Sequence, residues 1–160
     1  MATNEEVQRL VIDEKVTLNG HEVIYSFAVH RVPSEEDWQF TVDYNPECTA
    51  PTSWSVKIFY KKVPETSQLS CCVTLSRKDD RENSVVVFVL VSFMDFNGRV
   101  ARHTEAVCSG TMFAGDEKQG CIDNGDNIEL INQELIVRIA LNIQDCHVIK
   151  ENEIFSQNCY

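Results

Sequence analysis

Seven cysteines (Cys48, Cys71, Cys72, Cys108, Cys121, Cys146 and Cys159) and four histidines (His21, His30, His103 and His147) are the side chains with which this chain could do chemistry. A zinc site written into local sequence shows paired cysteines at C-x-x-C spacing, and no such pair occurs here, so no metal site is expected. The histidines fall in a turn, a strand, a hairpin and the tail, without ligand or base spacing between any two. A cysteine nucleophile needs a base beside it in space rather than in sequence, which leaves Cys108 or Cys121 with His103 open as a pair. Asp123, Asp126 and Glu129 around Asn124-Gly125 resemble a calcium loop in composition, but their spacing is not that of an EF-hand and fits an Asx-rich turn. With no catalytic constellation, the chain is expected to be a non-enzymatic protein without a cofactor, and its function has to be sought in binding.

Charge narrows the partners. A formal net charge of -11 on 160 residues opposes the clustered Lys and Arg that hold a protein on nucleic acid or anionic lipid. The longest apolar run, Val85 to Val91, has strand rather than membrane-span dimensions. The partner expected is a protein or peptide, with neither nucleic acid nor membrane, and the oligomeric state is left open. The opening residues, Met1 to Glu6, carry no basic and apolar leader pattern, which predicts an intracellular protein, cytoplasmic or nuclear, with reduced thiols. Within Leu69-Ser70-Cys71-Cys72-Val73 the adjacent thiols point to opposite strand faces, one buried and one exposed.

The elements that must position any site are strands. Residues 53–60 alternate around Trp54, Val56 and Ile58; residues 68–75 alternate likewise; residues 84–98 are rich in β-branched side chains. Glu22 to Val32 and Trp38 to Tyr44 read as strands closed by Pro33 and by Asn45-Pro46, and Asn19-Gly20 as a turn. Arg99 to Cys108 continues a hairpin whose turn is Asp95 to Gly98, and residues 135–143 place Leu135, Val137, Ile139, Leu141 and Ile143 on one face. Residues 109–127 hold four of the six glycines and are expected to form an irregular loop. The spacing of Val7, Leu10 and Val11 fits one or two helical turns in a polar head. The organisation expected is a polar amino-terminal segment (1–21), one antiparallel β-sandwich (22–145) and a tail (146–160).

In order and spacing these strands resemble the MATH domain, the meprin and TRAF homology β-sandwich. The resemblance lies in Tyr25-Ser26-Phe27-Ala28-Val29, Trp54-Ser55-Val56-Lys57-Ile58, Leu69 to Leu75, Val87 to Val91 with Asn97-Gly98, and Glu134-Leu135-Ile136-Val137. It implies an all-β, TRAF-like fold and a module that binds a short extended peptide of a partner, as a substrate adaptor of the ubiquitin pathway. The alternative is an oligomerisation or scaffold domain that meets a folded partner through a sheet face. Lys118-Gln119-Gly120-Cys121 stands nearest to the Trp-Gly-Phe element that such domains carry near the peptide groove, with both aromatics replaced.

Among the aromatics, Trp54 is expected in the core, and Tyr60, Phe93 and Phe113 are expected at a partner-facing edge together with Lys118 and Gly120. Phe59 and Tyr60 point to opposite faces of one strand, so only one of them can be exposed. The hydroxyl of Tyr60 suits a half-wet edge.

Overall fold

The computed structural model describes residues 10–29, 36–48, 50–63, 68–94, 100–123 and 135–146. They form nine strands: β1 (Val11–Val16), β2 (Gly20–Val29), β3 (Glu36–Tyr44), β4 (Trp54–Val63), β5 (Gln68–Arg77), β6 (Val85–Met94), β7 (Val100–Met112), β8 (Glu117–Asp123) and β9 (Leu135–Gln144). Two antiparallel sheets result, one of five strands in the order β1-β2-β9-β6-β7 and one of four in the order β3-β4-β5-β8. The protein is an all-β antiparallel sandwich.

Period-2 alternation builds the core. Val23, Tyr25, Phe27 and Val29 of β2, Val85 to Phe93 at odd positions of β6, and Val137, Ile139, Leu141 and Ile143 of β9 face inward from one sheet. Trp54, Val56, Ile58 and Tyr60 of β4 and Cys71, Val73 and Leu75 of β5 face them from the other. The sheets meet where Phe27 packs on Phe40 and Tyr60, with ring centroids 5.1 and 5.2 Å apart. Cys71 is buried and Cys72 half-exposed, as the strand phase of that pair requires.

Several elements differ from the expectation. Residues 11–14 are strand rather than helical turns, because β1 pairs with β2 over its whole length, from Val11 opposite Ser26 to Val16 opposite His21. The sheet therefore starts ahead of residue 22. Residues 109–123 are not an irregular loop: β7 runs on to Met112, a turn follows, and β8 returns in the other sheet. The glycines serve close approach and the turn. A Cβ at Gly120 would collide with the Val107 carbonyl of β7, so glycine lets the two sheet edges come together, while Gly115 takes a positive φ of 87° in the turn. The expected turn at Asp95 to Gly98 and the calcium-like loop residues Asp126 and Glu129 lie outside the described residues, as does the reading of Val7.

The thiol expectation is corrected too. Cys72 of β5 stands directly opposite Cys121 of β8, with the Cα atoms 4.0 Å apart, and the two form a disulfide. That separation is the close spacing of a non-hydrogen-bonded antiparallel pair, where opposed side chains approach most nearly. Sequence spacing alone does not announce the bond, since its ends stand 49 positions apart. Peptide mapping of protein alkylated without reductant is expected to recover Cys72 joined to Cys121, and both thiols appearing alkylated would refute the pairing.

One end of the sandwich is fastened by Arg77, a fully buried cation at the end of β5. Its guanidinium donates to both carboxylate oxygens of Asp79 at 3.0 Å and to the carbonyls of Asn83 and Met112 at 2.7 and 2.9 Å. Its backbone pairs with the β7–β8 turn through Asp116 and Gly115. Asp79 in turn accepts from the backbone N–H of Ser53 and of Arg81.

Candidate functional site

The two sheets end differently on their two sides. On one side β7 and β8 are joined by the turn at residues 113–116, where Asp116 accepts from the Phe113 N–H at 2.8 Å. On the other side the five-stranded sheet ends in β1 and the four-stranded sheet in β3, and among the described residues no strand pairs with the outer edge of either.

β1 is exposed along its whole length, which is unusual for a strand of a sandwich. Register explains why. Directly opposed residues of an antiparallel pair share a face, so Ile12, Glu14 and Val16 continue the inward row of their partners Tyr25, Val23 and His21. Those partners are buried, yet Ile12 is 52% and Val16 64% exposed. The sheet with β1 has one strand more than the sheet facing it, and β2 already lies over β3 through Phe27 and Phe40. β1 thus projects past β3 as a ledge whose underside carries two aliphatic side chains and a carboxylate. Leu18, in the turn that leads out of β1, is 99% exposed beside it.

Beneath the ledge β3 buries Trp38, Phe40 and Tyr44. The indole N–H of Trp38 and the hydroxyl of Tyr25 are buried donors that no group among the described residues engages, an arrangement that burial makes costly. Burial raises the pKa of Tyr25 and of Tyr44, and Glu14 adds to both shifts, so both phenols stay protonated over the working pH range. The Tyr25 hydroxyl is available as a donor, while that of Tyr44 faces the Glu14 carboxylate.

At the end of this step three ligand-type side chains come together. His21 at the start of β2, Cys48 in the β3–β4 connection and Cys146 just after β9 place Nδ1 or Nε2 and the two sulfurs within 4.8 Å of one another. His21 and Cys146 are buried and Cys48 half-buried. The Cys48 thiol donates to the Cys146 carbonyl at 3.8 Å. Burial, reinforced by the neighbouring Cys48, pushes the Cys146 thiol well above its ordinary range, so without a cation it is not a ready nucleophile. Local sequence gives no sign of this group, because its two cysteines stand 98 positions apart.

The residues expected at a partner-facing edge scatter. Tyr60 and Phe93 are corrected to core: both are buried, because Tyr60 shares the parity of Trp54, Val56 and Ile58, and Phe93 that of Val85 to Val91. Phe59, its neighbour, is the half-exposed member of that pair. Phe113 is 53% exposed in the β7–β8 turn. Lys118 lines a shallow groove of about 400 Å³ between β7 and β8 with Val107 and Ser109, and Gly120 packs against β7 farther along the strand. Of the open Cys–His alternatives, Cys121 is taken up by the disulfide; Cys108 is buried with its thiol pushed up by that burial, and the His103 side chain lies outside the described residues.

No family model matches the chain, and no curated protein matches it. Among solved structures it is similar to the structure of infectious bursal disease virus Gx strain, with 13% identity and a TM-score of 0.33. The match covers 85% of this chain but 28% of that one. A likeness at that level assigns neither family nor activity.

Proposed function

We propose that this protein is a non-enzymatic interaction module that takes an extended segment of a protein partner along the outer edge of β3, beneath the ledge of β1. The observation that carries the reading is the inward-facing pair Ile12 and Val16, exposed although their register partners are buried. A strand added to β3 would give the four-stranded sheet a fifth member and cover that pair. Main-chain hydrogen bonds to the open edge would supply affinity, and apolar side chains set against Ile12 and Val16 would supply selectivity. Glu14, between them, favours a basic residue at the matching position of the segment.

The resemblance of the strand order to MATH domains supports the finer reading, that the bound segment belongs to a protein presented to a ubiquitin ligase. The face-to-face scaffold alternative has no comparable observation behind it.

The test is selection of extended peptides from a random display library on the immobilised protein, followed by calorimetry on variants. Ile12→Lys with Val16→Glu is expected to weaken the selected peptides at least about tenfold, which is about 1.4 kcal/mol. Both positions are exposed, so stability should change by no more than about 0.5 kcal/mol each. Hydrogen exchange in β3 should slow on binding. Binding that ignores these substitutions but is lost in Phe113→Ala or Lys118→Glu would move the site to the β7–β8 groove and refute the ledge.

A further inference from the structure

We infer that His21, Cys48 and Cys146 form a binding site for a zinc-type divalent cation that ties together the start of β2, the β3–β4 connection and the end of β9. The donor set decides the class of ion. Two thiolates and an imidazole suit zinc, whereas the hard cations magnesium and calcium require oxygen ligands. Charge agrees, because a divalent ion held by two thiolates and a neutral imidazole brings no net charge into a region where His21 is 2% and Cys146 0% exposed.

The geometry is within reach. Zinc–sulfur bonds of about 2.3 Å and a zinc–nitrogen bond of about 2.1 Å put tetrahedral ligand atoms about 3.5 to 3.8 Å apart. The three atoms here already lie within 4.8 Å of one another, so closing on an ion needs movements of about 1 Å or less. Cys48 belongs to the connection rather than to a strand, and it can supply that movement without disturbing a ladder. The fourth position is left to water on the half-exposed Cys48 side. Three segments remote in sequence would then be joined at one point, and the ion would stabilise the fold chiefly by holding the β3–β4 connection against the first sheet.

Cobalt is the probe, because bound thiolates give it a charge-transfer absorption and a tetrahedral site gives it strong visible bands. The full chain, reduced and handled without oxygen, is expected to take up one cobalt ion with both signatures and to surrender it to zinc. Cys48→Ser, Cys146→Ser and His21→Gln should each weaken cobalt binding at least about tenfold, and Cys108→Ser should leave it unchanged. Zinc should raise the melting temperature of the parent protein but not of Cys48→Ser. Cys48 is half-buried, so that variant keeps the test sound should a substitution at His21 or Cys146 prevent folding. A folded, reduced parent protein without the charge-transfer band would overturn the assignment. So would a band that persists in Cys48→Ser, or recovery of Cys48 and Cys146 as a disulfide with no cobalt uptake after its reduction. Peptide binding at the β1–β3 ledge is read separately, so either proposal can fail alone.

Discussion

Replacing Arg77 with methionine is expected to cost about 3 to 5 kcal/mol of stability, although methionine matches much of its aliphatic volume. Arg77 is fully buried, and removing one member of a buried ion pair leaves the other in low dielectric without its partner. Here the loss spreads. The Asp79 carboxylate loses two donors, and the carbonyls of Asn83 and Met112 lose theirs, within a region that water reaches poorly. The guanidinium also sits over the Trp54 ring, 5.9 Å from its centroid, a contact that a thioether replaces only in part. Arg77→Lys should recover little, because an ammonium cannot address a bidentate carboxylate and two separate carbonyls from one plane. Urea melts would check this, and a loss below about 1 kcal/mol for Arg77→Met would show that the cluster is not a structural fastening.

The same cluster has a pH signature. Burial on its own would raise the Asp79 pKa, but hydrogen bonds from Arg77, Ser53 and Arg81, with the Arg77 charge, outweigh it and hold the carboxyl below its ordinary value. A carboxyl whose folded pKa is depressed stabilises the protein above its unfolded pKa of about 3.9, and that contribution is lost as pH falls from there through the folded pKa. Stability should therefore fall on acidification below about pH 4 more steeply in the parent protein than in Asp79→Asn, which lacks the titrating group.

Which parts of this fold could be read from sequence follows from the range of the interactions. Alternation is local, so residues 54–60, 85–93 and 137–143 announce their strands and their buried faces. Tyr60 shows the limit of chemical type as a guide: a phenol suits an edge, but parity with Trp54 and Ile58 determines its place, and it is buried. Arg77 sits in the run Arg77-Lys78-Asp79-Asp80-Arg81-Glu82, which reads as a solvated turn until the fold brings Met112 and Asn83 around its first member. Gly120 suggests a loop in sequence and in fact admits two sheet edges packed closely, a need visible only once β7 and β8 are adjacent, while Gly110 takes a positive φ of 128° within β7. The ledge of β1 depends on the strand count of each sheet, and the His21, Cys48 and Cys146 cluster on three remote segments meeting. Neither has a local signal.

Trp54→Ala is expected to destabilise the protein by about 3 to 5 kcal/mol, the range for removing a buried aromatic from a close-packed core. Trp54 is 1% exposed, opens β4, and stands between Tyr44 of β3 and Arg77 of β5 in register. Alanine would leave a large cavity at the point where the Arg77 cluster is anchored, so the guanidinium would lose its aromatic support as well. Trp54→Phe separates the contributions. It keeps most of the buried surface but removes the indole N–H, which donates to the Thr52 hydroxyl at 2.7 Å. Thr52 is itself buried, so its oxygen would lose that donor, and the expected cost is about 1 to 3 kcal/mol. Because Trp54 and Arg77 touch, their losses should not add. The double variant Trp54→Phe/Arg77→Met should lose at least about 0.5 kcal/mol less than the sum of the single losses, and strict additivity in a double-mutant cycle would mean that ring and cation act independently.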